Sequence, residues 1–396
     1  MTNARILFYL PDSIIRRSSV LSSQLLGQAR HVSSLGAQCL IVAREVDARM
    51  AEAAQLSIED TYGLRSALVC CSEGVPLVSK LLSCRRAKSH LAKSLRAFAP
   101  THIYTRSNLA FRSAMQLART LGARHVHDVR GVEAAEAAMN PSWLRRTVYP
   151  QALRRIERHV LVRADRLVCV SHRLGSWIKD ESGRTDYTVI PCCVQASRPM
   201  VSDIERRRVR QQLGFPDHSK ILCYVGSALA WQKISSIVGL CRGMALANTN
   251  CRFLFLTLDV AAIQGVIARI GLDASRCHVT SCPHTGVHDY LQAGDAGILM
   301  RDDTLVNNVA CPVKIGEYLS AGLPVLLSRG IGDMSDLIAK HGVGLVIEDS
   351  PSACLRALEF LNCGAYEEVS RRCRLFVEKH LTWSAYSEEF RQLYSY

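Results

Sequence analysis

The chain has 396 residues, close to half of them apolar, a fifth charged and few aromatic, so it is long for one core and is read as two or three soluble domains at roughly 150 residues each. No stretch approaches the ~18 uninterrupted apolar residues that a membrane span needs. The opening MTNARILFYLPD stops its short apolar run at Pro11-Asp12, too early for a secretory signal, and the expectation is a cytoplasmic protein.

Short apolar runs alternate with longer segments of helical spacing. In the first half the strands are expected at 4–10, 38–44, 66–71, 101–106, 124–130, 165–171 and 187–193, with a helix over 18–36 between the first two. The stretch QASRPMVS (195–202) reads as a linker. The alternation then restarts, with strands at 220–226, 251–258, 277–282, 296–301, 323–328 and 344–348 and helices at 232–247, 260–270 and 312–321. The tail from 350 reads as helices. Strands apolar throughout are those buried on both faces, as in parallel sheets. Strand–helix alternation then gives right-handed βαβ units. The expected architecture is α/β, with two Rossmann-like doubly wound parallel-sheet domains facing across a cleft. The first covers 1–195 and the second 196–380, with a terminal helix over 381–396 packing back on the first.

The net charge of +14 is one-sided: residues 1–198 hold 29 lysines and arginines against 15 aspartates and glutamates, whereas 199–396 hold 20 of each. Such asymmetry speaks of partners rather than fold. Sixteen cysteines occur without any C-x-x-C. The adjacent pairs Cys70-Cys71 and Cys192-Cys193 lie in apolar runs and are expected to be buried free thiols. No Cys/His spacing typical of zinc and no D-x-D at a strand end is present, so no metal is expected.

The segment CPVKIGEYLSAGLPVLL (311–327) is the most informative. Pro312 suits the first turn of a helix, Ala321-Gly322 its end, and the following run a buried strand. Lys314 and Glu317 then share one face near the helix N-terminus, at the carboxyl edge of a sheet. Backbone N–H groups and a lysine there attract phosphate, and a carboxylate one turn on can accept hydrogen bonds from two sugar hydroxyls. A solvated lysine–glutamate pair has the same spacing.

The pattern P-x-K-x-x-E-Y-L-x-x-G-x-P-V resembles the donor-nucleotide motif of retaining glycosyltransferases of the GT-B fold, the group 1 or family 4 class. That resemblance implies that Glu317 grips the donor ribose and that Lys314, with Tyr318 beside it in the motif, belongs to the donor site. YVGSALAWQK (224–233) resembles the family's turn before the first helix of the second domain, which implies close approach of donor phosphates at Gly226 and a diphosphate contact from Lys233. AGDAGIL (293–299), the loop Gly330–Asp333, ADRLVCVS, VIPCCV and GVGLVIED fall in family order, so the resemblance covers most of 165–345. The sequence departs from the pattern at Val309, where many members carry a second glutamate for the donor sugar. Asn307, Asn308 and Asp302 are the nearby polar alternatives. The family's glycine-rich loop after the first strand is replaced by PDSIIRRSSV.

HVHDVRGVEAAE (125–136) ends a strand with His127, Asp128 and Arg130. In relatives this region approaches the reacting sugar and the acceptor, which implies that Asp128 orients the acceptor hydroxyl and Arg130 binds a phosphate. The same residues can equally bond the N-terminus of the next helix. Glu133 and Glu136 read as charges of a helix's first turn. Two basic amphipathic stretches, 81–98 and 142–163, together with the one-sided charge, point to an anionic membrane surface. They lack the interleaved aromatics of RNA binders, so no nucleic acid is expected. The expected activity is transfer of a hexosyl or N-acetylhexosaminyl group, with retention, from a UDP- or GDP-linked sugar to a glycan or lipid-linked acceptor in cell-surface polysaccharide or glycolipid assembly. No cofactor beyond that nucleotide-sugar substrate is expected, and the site is on the inner face of the membrane. The alternatives are a nucleotide-sugar epimerase or hydrolase of the same fold, and a non-catalytic scaffold.

Overall fold

The structure is a computed structural model, and it describes residues 1, 3–15, 19–70, 76–139, 149–195, 203–362, 364 and 366–395. Among these, thirteen strands form: β1 (Arg5–Leu10), β2 (Gln38–Glu45), β3 (Arg65–Cys70), β4 (His102–Thr105), β5 (Arg124–Val129), β6 (Arg166–Cys169), β7 (Tyr187–Val189), β8 (Lys220–Val225), β9 (Cys251–Leu256), β10 (Cys277–Thr280), β11 (Ala296–Leu299), β12 (Val325–Leu327) and β13 (Gly344–Val346). Each matches one sequence-predicted run. The runs are trimmed at their carboxyl ends, where Gly226 and the polar residues Arg106, Arg130, Arg301 and Ser328 leave the sheets and enter loops. In doubly wound folds these loops are where ligands bind.

The chain divides into two compact units. One is Met1–Cys193 with Trp383–Tyr396, the other Val194–Thr382. The first unit holds a seven-stranded sheet of order β3-β2-β1-β4-β5-β6-β7, the second a six-stranded sheet of order β10-β9-β8-β11-β12-β13. All the pairings are parallel, for example Phe8 opposite Ile41 and Tyr104. In each sheet the order reverses beside the first strand of the unit, next to β4 in one and β11 in the other, and that switch point opens a crevice.

The first sheet is buried on both faces, as its unbroken apolar runs require. Ile6, Phe8, Leu10 and Ile41 point to one core, and Leu7, Tyr9, Leu40 and Val42 to the other. The last segment completes the former core: Trp383, Phe390, Leu393 and Tyr394 pack there, with the Trp383 indole directly over Gly27, where a Cβ would stand 2.8 Å from the ring nitrogen. The tail from 350 is accordingly four pieces, helices over Ala353–Asn362 and Tyr366–His380, a 3-10 turn over Trp383–Tyr386 and a helix over Ser387–Leu393. The second unit has its core on Phe253, Phe255, Ile237, Val238 and Ile298.

Several expectations are corrected. Cys70 is exposed rather than buried, because it is the last residue of β3, and Cys192 is half-exposed. Cys71, most of the linker (196–202) and the segment 142–148 lie outside the described residues. Pro312 is the N-cap of the helix Val313–Ser320 rather than its first residue, with extended ψ of 122°.

Candidate functional site

In the second unit the motif residues gather at the carboxyl ends of β8 and β11. Gly226 ends β8 with φ of 148°, and a Cβ there would lie 2.3 Å from Lys314 Nζ. Only glycine lets the Lys314 ammonium rest against the backbone. Lys314 donates to Gln232 Oε1 at 3.3 Å and lies 5.2 Å from the centre of the Tyr224 ring. Burial, then the Arg301 charge, push its ammonium down to about 7, against a weaker pull from Glu317. Arg301, just past β11, is likewise pushed down by burial. It donates to Asn307 Oδ1 at 3.3 Å, and its Nε is buried with no hydrogen-bond partner. Among the described residues neither cation has a carboxylate ion partner. Two packed cations side by side, one with an orphaned donor, are a costly arrangement that an anion relieves.

Glu317 lies one turn after Lys314, and its side chain is 18% exposed. Its Oε1 is 2.7 Å from His284 Nε2, a residue of the loop after β10. That bond raises the imidazole above its ordinary range. Lys233 occupies the left-handed region (φ 44°, ψ 43°) immediately before the helix Ile234–Ala247, a conformation that strains a non-glycine residue by about 1 kcal/mol or more. Its ammonium bridges Asp349 at 2.9 Å and Asp302 at 3.3 Å, and these carboxylates neutralise it in this state.

Tyr318 does not reach a ligand surface. It is fully buried, its ring against Gly297, where a Cβ would be 2.3 Å away. Its hydroxyl accepts from the Val225 N–H at 2.7 Å and donates to the Ile298 carbonyl. On a helix it points about 100° away from Glu317, into the sheet, and its role is to lock β8 to β11. Val309 is core, 3% exposed. Asn307 is fully buried and spends its amide on the Asp302 carbonyl and Thr304 Oγ1. Asn308 donates to Asp303, and its Oδ1 is buried without a partner.

In the first unit Asp128 lies at the end of β5, 1% exposed. Its Oδ2 accepts from the Tyr104 hydroxyl, from Arg130 Nε at 2.7 Å and from Arg106 Nε at 3.1 Å. Burial would raise this carboxyl, but Arg130 and Arg106 outweigh it and hold it below its ordinary value. Asp128 is thus the anchor of two guanidinium groups and is not open to an acceptor hydroxyl. Arg130 and Arg106 keep 22% and 10% exposure and carry the surplus positive charge outward.

His127 is 2% exposed, and burial pushes it down to about 4, so the ring is neutral. Its Nδ1 is 3.0 Å from Thr105 Oγ1, which is 2.8 Å from His125 Nε2. His125 Nδ1 is buried without a partner. The proton arrangement that orphans no buried donor has His125 donating to Thr105 and Thr105 donating to His127 Nδ1. His127 then carries its proton on Nε2 and lines a cavity of about 180 Å³ with Arg106, Arg130, Glu133, Glu157 and Trp177. Sequence reasoning missed Arg301, His284, Arg106, Glu157 and Trp177. Only the end of a strand marks Arg106 and Arg301, and nothing local marks the others.

Against known proteins, residues 22–198 match the family described as Glycosyltransferase Family 4. Glucosyltransferase 3 of Streptococcus parasanguinis is 28% identical over 88 residues, a span of 22% of this chain and 26% of that protein, about a quarter of its length. Two solved structures share the fold over nearly all of both chains. Sucrose-phosphate synthase of Thermosynechococcus elongatus has a TM-score of 0.72 at 16% identity, covering 99% of this chain and 98% of its own. HepE of Anabaena, in complex with UDP and glucose, has 0.74 at 13%, covering 99% of each. A third, WaaG, a glycosyltransferase involved in lipopolysaccharide biosynthesis, has 0.70 at 13%, covering 98% of this chain and 99% of its own. Identities this low carry the fold alone. By the sequence match over 22–198 and the twin-sheet fold over its whole length, the chain is similar to the GT-B glycosyltransferases of the family 4 class.

Proposed function

We propose that the chain is a glycosyltransferase that moves a sugar from a nucleotide-sugar donor to a glycan or lipid-linked acceptor, with retention of configuration. The observation that carries this is the uncompensated Lys314–Arg301 pair at the Gly226 turn, a seat for a diphosphate at the carboxyl edge of the sheet. Glu317 stands one turn away for the ribose hydroxyls, and HepE, of the same fold, is a protein solved with UDP. Transfer then needs placement and charge stabilisation rather than a protein nucleophile. The bond from the sugar C1 to the diphosphate oxygen breaks, the acceptor oxygen bonds to C1, and its proton passes to the departing diphosphate. Lys314 and Arg301 absorb the charge that develops on that leaving group. His127 Nε2–H and Arg130 are the donors of the first unit for sugar hydroxyls or an acceptor phosphate. Lys233 joins the diphosphate by exchanging its aspartate partners.

The test is a thermal-shift panel of UDP, GDP, ADP and CMP on the wild type, Glu317→Ala and Lys314→Ala. A nucleotide at ~100 times its dissociation constant adds about 2.7 kcal/mol. One nucleotide stabilising the wild type and neither variant supports the reading. No response to any of the four removes it and leaves a scaffold. Anomeric analysis of the product by NMR decides retention.

The acceptor's lipid linkage is supported by the helix Tyr149–Arg163, whose exposed face carries Arg154, Arg155, Arg158 and Arg163 with exposed Ile156 and Val162. Among the described residues no helix is long and apolar enough to cross a membrane. Co-sedimentation with phosphatidylglycerol vesicles and not with phosphatidylcholine vesicles is the expected result.

A further inference from the structure

The cavity of the first unit is lined by both cations and carboxylates, and the transfer reading leaves its carboxylates unused. Arg106 and Arg130 share the single carboxylate Asp128. Three glutamates, Glu133, Glu136 and Glu157, line the same cavity, and among the described residues none of them forms an ion pair. Glu157, 4% exposed, accepts from the Ala134 N–H and holds the start of the short helix Glu133–Ala138. Glu133 is bonded by Asn108, and its other charged neighbours are Asp12 and, weakest, Lys80. Glu136 stands exposed at the mouth, its carboxylate against the Gly131 backbone, where a Cβ would be 2.6 Å from Oε1. It accepts no hydrogen bond among the described residues.

Burial, then Glu133, raise the Glu157 carboxyl to about 7, and burial raises Glu133 as well. Hydrogen bonds from neutral groups do not remove that mutual repulsion, but a cation does. Among the described residues no group of three such ligands is placed to hold a metal ion. Two further features point to an organic occupant. His127, a residue 2% exposed whose Nδ1 is paired with Thr105, lines the cavity, and Trp177 lines it too. The volume of about 180 Å³ is below that of a drug-sized pocket and suits one sugar ring.

We infer that this cavity binds a monosaccharide-sized molecule bearing a free ammonium group, the ammonium seated among Glu133, Glu136 and Glu157 and the hydroxyls toward His127, Arg106 and Arg130. Trp177 supplies an apolar wall for the ring. The occupant is the acceptor end of the proposed transfer, and that assignment, unlike the binding itself, rests on the transfer reading. N-acetylation of the amine removes the charge and leaves the three carboxylates uncompensated, so the site discriminates between an amino sugar and its acetylated form.

The experiment is isothermal titration of the full chain at about pH 7 with glucosamine and galactosamine, each against its N-acetyl and its neutral counterpart. One amino sugar is expected to bind about tenfold or more tightly than its uncharged relatives. Glu136→Gln, exposed and free of structural hydrogen bonds, is expected to abolish most of that preference, and Glu157→Gln to do the same if its helix start survives. Equal affinity for charged and uncharged sugars, an unchanged preference in Glu136→Gln, or no binding by any of them overturns the inference. The same preparations are challenged with UDP and GDP. A chain that binds nucleotide but no amino sugar loses only this site. One that binds the amino sugar but no nucleotide keeps the site and loses the acceptor role.

Discussion

Lys314→Met exchanges ligand binding for stability. The lysine's fall from 10.5 to about 7 corresponds to ~5 kcal/mol of unfavourable ionisation at the ordinary ~1.36 kcal/mol per unit. That figure is a ceiling, because the side chain keeps part of its surface, and about 2 kcal/mol is expected. Below pH 7 both folded and unfolded chains hold the proton, so the whole penalty falls on the folded state. Between 7 and 10.5 the unfolded chain binds more protons, stability rises with pH, and the penalty is gone above the unfolded value. Lys314→Met therefore raises the ligand-free stability in urea by about 2 kcal/mol at pH 6, and the gain shrinks on going to pH 9. The same variant loses the nucleotide response. In the wild type, a diphosphate favours the protonated lysine, so binding near pH 8 takes up a fraction of a proton, read from calorimetry in buffers of different ionisation enthalpy. A Lys314→Met chain that is less stable at low pH, or that keeps the full response to UDP, refutes the argument that the lysine is held charged at a cost for an anion.

Gly226→Ala places a methyl 2.3 Å from the Lys314 ammonium and is expected to abolish nucleotide stabilisation while the far-ultraviolet dichroism is retained. Asp128→Asn leaves Arg106 and Arg130 without their shared carboxylate, and breaking such a buried network is expected to lower stability by about 3–5 kcal/mol, measured by urea unfolding. Trp383→Ala empties a site in the first unit's core over Gly27, for an expected loss of about 3–5 kcal/mol in the unfolding of that unit, while whatever nucleotide response the wild type shows is retained.

The strands were legible because both faces of each sheet are buried: Ile6 to Leu10 are apolar at every position, and no periodicity had to be chosen. Their carboxyl ends were not, since Arg106, Arg130 and Arg301 look like the last residues of a run until the sheet's hydrogen bonding stops. The helix carrying Lys314 and Glu317 was readable from its proline, its glycine and its spacing. What it faces was not, because Arg301 and His284 arrive from loops after β11 and β10, and their proximity is a property of strand order. Tyr318 was assigned to the donor site through motif adjacency alone. Its place among the buried Ile315, Gly316 and Leu319 follows from helical geometry, which sends consecutive side chains to different faces. The acidic cavity was hidden for a related reason. Glu133 and Glu136 are ordinary first-turn charges in sequence, and only the approach of Glu157 from a later helix turns them into a group.

The return of Trp383–Tyr394 to the first unit's core sets an order of events on the ribosome. The second unit is a continuous stretch, Val194–Thr382, and can close as soon as it emerges. The first unit cannot. One face of its sheet waits for an aromatic segment made nearly 190 residues after Cys193, an interval of about 10–40 s at ordinary synthesis rates. Throughout that interval Ile6, Phe8 and Ile41 lack part of their cover. The nascent first unit therefore completes its core only once Trp383–Tyr394 has been made, after the whole of the second unit.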